Sequence, residues 1–178
     1  YRLYSMCSMK PLFEPARTYA LPCFLFLGYM STLWMILAFI PIYLTDLGFS
    51  HLQIGVLIST FPLISLILMF PFGVISDRLS AKKLVILGLI IFALFLFGLR
   101  YASGFWAHLA LFALGGIGGA LFRISLFSLY YKFLGEENKG VKLGFFMGLG
   151  LLGYGLGPLV GGSLFLSVDW SSQLLISI

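Results

Sequence analysis

Two places in this 178-residue chain carry charge against an apolar background. The first is Gly73-Val74-Ile75-Ser76-Asp77-Arg78-Leu79-Ser80-Ala81-Lys82-Lys83, which packs four charges into seven residues although only 10% of the chain is charged. Its chemistry is electrostatic. Asp77 offers an anionic acceptor to a helix N-terminus, Arg78, Lys82 and Lys83 can hold that carboxylate or meet anionic headgroups, and Gly73 lets a neighbouring helix approach closely. The second place is Arg123, alone inside a long apolar run. A charge at membrane depth is costly unless it faces a cavity or a partner, so Arg123 is the candidate for an anionic or polar group of a solute. The alternative is that its stem snorkels to the interface. No catalytic constellation is visible. His51 and His108 have no Cys or carboxylate at ligand spacing, and Cys7 and Cys23 form neither a metal spacing nor a disulfide framework. The expectation is a protein that is not an enzyme and uses no metal or cofactor.

The elements that must position these residues are membrane helices. Hydrophobic residues make up 61% of the chain and mean hydropathy is +1.07, far outside the soluble range. Apolar runs of about 18 residues or more recur, each long enough to cross a hydrocarbon core of about 30 Å. The alternation expected of barrel strands is missing. The fold class is therefore all-α integral membrane, a transmembrane helical bundle of five complete helices and the start of a sixth. Helices are expected at about 20–44, 52–75, 83–100, 104–131 and 142–167, after a cytoplasmic tail over 1–19. Ser50 with Gln53 forms a capping box at the start of the second helix. Pro62 and Pro71 inside that helix each remove a backbone donor. A sixth helix begins near 170, where the eight residues after Trp170 would make only about 12 Å of helix. The chain reads as a fragment. Its first residue is Tyr, and the first apolar run is too long, and lacks the small-residue site, for a cleaved signal peptide.

Nine of the eleven Lys and Arg residues fall on one side of this layout. Arg100 stands on the other side and Arg123 lies within the fourth helix. By the positive-inside rule the N-terminus and the charged segment are cytoplasmic, in a multi-pass protein of the cell membrane. The same distribution explains the net charge of +5 without nucleic acid as a partner. All six carboxylates lie at helix ends or in loops, which leaves none inside the first five helices to carry a proton. Tyr29 and Thr32, one turn apart on the first helix, are further polar candidates for a solute or coupling site, with packing as the alternative role for each.

The fifth helix carries Gly153, Gly157, Pro158, Gly161 and Gly162. Glycines four apart share a face, so Gly153, Gly157 and Gly161 make a groove that admits another helix. This pattern resembles the GxxxGPxxGG antiporter motif of the major facilitator superfamily, and residues 73–83 resemble that family's GxLaDRxGRRx motif between its second and third helices. Ser80 stands in place of the motif's second glycine and Ala81 in place of one basic residue. Leu47-Gly48-Phe49-Ser50 with Gln53-Ile54-Gly55 is similar to the family's turn into helix 2, and Gly116-Ile117-Gly118-Gly119-Ala120 to its fourth-helix core. The resemblance covers residues 20–170.

It implies the N-terminal half of a secondary transporter, whose missing partner is a C-terminal six-helix half of the same protein. Gly73 and Asp77 would belong to a cytoplasmic gate and the fifth-helix glycines to the sliding interface between halves. The fourth-helix arginine frequent in proton antiporters falls at Phe112 here and is replaced. Export of a small organic solute is favoured. Uptake of an organic anion is the alternative within transport, and a non-transporting sensor or assembly partner is the alternative of another class.

Overall fold

The computed structural model describes residues 16–134 and 139–165. They form five α-helices, α1 (Ala16–Asp46), α2 (His51–Arg78), α3 (Ala81–Tyr101), α4 (Phe105–Phe133) and α5 (Lys139–Phe165). Each is long and apolar enough to cross a membrane. The fold is the expected all-α membrane bundle. Most of the tail before residue 16, the 135–138 connection and the start of a sixth helix lie outside the described residues.

Helix ends follow local chemistry. Ser50 closes the capping box, its Oγ accepting from the Gln53 backbone N–H at 3.4 Å while the Gln53 side chain accepts from the Ser50 N–H at 2.9 Å. Ser50→Ala is expected to lower stability by about 1 kcal/mol, read as a lower thermal unfolding midpoint of the full-length protein in detergent. Pro62 and Pro71 lie within α2 without ending it. α1 begins at Ala16 rather than Ala20, and α5 begins at Lys139 rather than 142.

Short connections make consecutive helices antiparallel, so α1, α3 and α5 run one way and α2 and α4 the other. The extensive packing pairs are α3 with α4, α1 with α5, and α2 with α4. The last two pairs are parallel, and α4 is the hub. The core is aromatic: Phe26 stacks on Phe146 at 4.6 Å, Phe146 on Tyr130 at 4.2 Å, and Phe92, Phe95 and Phe112 follow one another between α3 and α4. Outward, Ile86, Ile90, Leu94 and Phe97 form an exposed apolar stripe on α3, at the spacing of one helix face. That stripe suits lipid tails.

Candidate functional site

The fourth helix holds its neighbours through glycines aimed in three directions. A Cβ on Gly118 would stand 2.8 Å from the Phe92 backbone nitrogen of α3, one on Gly116 2.6 Å from the Phe61 carbonyl of α2, and one on Gly119 2.6 Å from the Tyr29 hydroxyl of α1. On the α3 side Gly88 is equally tight against the Phe122 backbone, at 2.6 Å. Ser65 of α2 donates to the Gly116 carbonyl at 2.9 Å. Without side chains at these positions three helices reach the α4 backbone.

Tyr29 is thereby sandwiched in the interior. Its ring packs on Phe122 at 4.5 Å and Phe92 at 4.9 Å, the residue is 5% exposed, and its buried hydroxyl has no hydrogen-bond partner. Arg123 lies one turn beyond Gly119 on the same face of α4. The residue is half-buried. Tyr29 is nine residues from Ala20 in the span of α1, and Arg123 nine residues from Lys132 in the span of α4. Both therefore sit about 14 Å from the same end of the bundle. Among the described side chains the sole carboxylate is Asp46, at the opposite end of α1.

Thr32 takes a different place from Arg123. A cavity of about 340 Å³ opens between α1 and α3, lined by Tyr29, Thr32, Gly28, Phe92 and neighbouring apolar side chains. Arg123 is not part of its lining. Tyr29 lines the cavity and also sets its hydroxyl against Gly119 of α4. Thus sequence proximity grouped Tyr29 with Thr32, and the fold also sets the Tyr29 hydroxyl against Gly119, one turn before Arg123 on α4. The signal that could have found this approach is Gly119, four residues before Arg123.

His108 is buried in the first turn of α4, and its Nδ1 lies 2.9 Å from the Gly104 carbonyl. This bond braces the start of α4, which Gly104 opens at a φ of 81° that favours glycine. His51 is exposed.

The charged segment is more helical than its composition suggests. α2 continues through Arg78, α3 starts at Ala81, and only Leu79 and Ser80 are extended between them. Asp77 and Arg78 thus occupy the last turn of α2, and their side chains lie outside the described residues. Lys82 and Lys83 are exposed in the first turn of α3. Gly73 is half-buried, and a Cβ there would meet no described atom within 4 Å.

On α5 the glycine groove is occupied from within. A Cβ on Gly153 would lie 2.9 Å from the Leu27 carbonyl, one on Gly157 would overlap the Ser31 carbonyl and lie 2.9 Å from the Met35 nitrogen, and one on Gly161 would press on Met35 and Phe39 at 2.6 Å. These three glycines pack against α1. Their absent side chains let two backbones touch, and a parallel neighbour in the same bundle already does so. Gly162 has only an ordinary 3.9 Å contact with Phe39. Pro158 is half-buried. Gly144, Gly148 and Gly155 lie on the opposite side of α5, and a Cβ on any of them would meet nothing within 4 Å.

The sequence profile of the Major Facilitator Superfamily matches residues 23–178. The chain belongs to that superfamily. Its similar curated proteins include the quinolone resistance protein NorA of Staphylococcus aureus, 27% identical over 129 residues, which are 72% of this chain and 33% of NorA. The methyl viologen resistance protein SmvA of Salmonella typhimurium is 28% identical over 138 residues, 74% of this chain and 27% of SmvA. The chain thus spans about a third or less of the relatives it matches.

Within this Major Facilitator Superfamily chain the position of the frequent fourth-helix arginine is a packing site. Phe112 is 1% exposed and meets Phe95 edge-on at 5.6 Å. Arg123, half-buried, sits three turns further along the same helix.

Proposed function

We propose that this chain is part of a secondary transporter that moves a small organic solute out of the cell by alternating access between two helical bundles. The observation that carries the reading is Arg123, a cation at membrane depth with no carboxylate near it among the described side chains. Such a residue in a superfamily bundle supports contact with the solute. Similarity to proteins named for resistance to quinolones and to methyl viologen supports export. The N-terminus is cytoplasmic on the charge distribution, in a cell membrane. Asp77 with Gly73 belongs to the cytoplasmic gate, flanked by Arg78, Lys82 and Lys83. The unfilled faces of α5 at Gly144, Gly148 and Gly155 and of α2 at Gly73 are suited to a second bundle of the same protein, since each admits a helix closely.

The test is flux through the full-length protein reconstituted in liposomes, with a quinolone and methyl viologen loaded separately on each side. Outward movement above protein-free liposomes is expected for at least one of them. No flux of any tested solute, with binding intact, would sink the transporter reading in favour of a sensor. Flux of an organic anion inward alone would replace export by uptake.

A further inference from the structure

The Tyr29 hydroxyl is an anomaly in an otherwise well-packed interior. It is buried and makes no hydrogen bond, a state that ordinarily calls for an explanation. Ser76, Ser125 and the Nε2 of His108 share that description, but a neutral imidazole whose Nδ1 carries the proton leaves Nε2 with none to donate, and a helical serine can turn its hydroxyl onto the carbonyl one turn back. A tyrosine hydroxyl is too far from its own backbone to do so. Its acceptor has to come from elsewhere.

What surrounds the hydroxyl states what that acceptor is. Gly119 leaves the space in which it sits, Phe61 closes the same spot with a ring atom 3.1 Å from where a Gly119 Cβ would stand, and Phe92 and Phe122 flank the ring. One turn along α4 is Arg123, a group that only donates. The place thus offers a hydroxyl donor and a guanidinium with no protein acceptor described for either, inside an aromatic wall. We infer that Tyr29 and Arg123 form one two-donor site for the oxyanion of an organic acid whose body is aromatic or apolar, and that Gly119 is the residue that positions Tyr29 for it. This rests on the reading of Arg123 as a solute contact and adds the solute's chemical class. The missing methyl of Gly119 is the specificity element: with a side chain there, the hydroxyl is pushed off the α4 face and the guanidinium is left to bind alone.

Benzoate is the probe, with benzylamine as its cationic counterpart of similar size and inorganic phosphate as an oxyanion with no apolar body. Equilibrium binding of radiolabelled benzoate to the full-length protein in nanodiscs is expected to resist competition by the other two. Tyr29→Phe removes only the hydroxyl, and one hydrogen bond to a charged acceptor is worth a loss of about 10-fold to 100-fold in affinity. Gly119→Ala is expected to weaken benzoate to a similar degree and to add little in the Tyr29→Phe background. A structural tyrosine would lower the unfolding temperature when its hydroxyl is removed. Here Tyr29→Phe is expected to raise it in the solute-free protein, because an unpartnered buried hydroxyl is lost. A Tyr29→Phe protein that binds benzoate like the wild type, or that unfolds earlier, overturns the inference. If Arg123→Ala abolishes benzoate binding while Tyr29→Phe does not, the pair falls and Arg123 stands as a solute contact. If the wild type moves solute but binds benzylamine in preference to benzoate, the acid class falls and transport stands.

Discussion

Gly157→Leu is expected to force the fifth helix off the first and to remove a large part of the protein's stability. A Cβ at that position overlaps the Ser31 carbonyl and lies 2.9 Å from the Met35 nitrogen. Both are backbone atoms of α1, so neither can rotate away as a flexible side chain would. Overpacking a tight interior costs about 1–3 kcal/mol, occasionally more, and a contact with helix backbone belongs at the upper end. Against a typical total of about 5–15 kcal/mol, that loss is severe. The paired control is Gly155→Leu, two residues away, where a Cβ meets nothing within 4 Å. There leucine's better helix propensity, about 1 kcal/mol over glycine, is unopposed. Fluorescence-detected size-exclusion profiles of the heated full-length protein should show a much lower midpoint for Gly157→Leu and little change for Gly155→Leu. Equal losses would show that α1 is not the helix those glycines serve.

Transport should be most sensitive to Arg123. If its guanidinium holds an anionic or polar group of the solute, Arg123→Ala leaves that group unpaired in a low-dielectric site, and truncations of this kind cost about 2–5 kcal/mol. A loss of initial flux of about 100-fold is therefore expected in liposomes at equal protein density. Arg123→Lys keeps the charge but loses the planar fork. Substantial flux in the lysine variant would mean that charge is what matters, and its loss would mean bidentate recognition. Full flux in both variants would retire Arg123 as a site residue and make it a side chain that snorkels to the interface.

The two variants probe different kinds of legibility. The existence of the helices was readable because 18-residue apolar runs have no other stable form in a bilayer. The start of α2 was readable because Ser50 and Gln53 are three residues apart and the capping bonds are local. The charged segment misled about boundaries. Polar residues do not end a helix, and here the chain leaves helical geometry only at Leu79 and Ser80, one of them apolar. Superfamily membership was legible from two motifs, one across the turn from α2 to α3 and one on α5, and it agrees with the profile match over residues 23–178.

The sequence by itself determined the membrane class, the number of spans in the described residues, the presence of a cation at depth, and a groove of glycines on one face of the fifth helix. Only the tertiary structure decided what each of these meets. Spacing four apart says that a helix can come close, but a glycine contact is made to backbone, and every helix offers the same backbone. Nothing in Gly153, Gly157 and Gly161 therefore names α1 as their partner. The approach of Tyr29 to α4 was hidden for the same reason. It is made across 90 residues of chain by the absence of a side chain at Gly119, and an absence carries no chemical label until the neighbouring helix is seen to fill it.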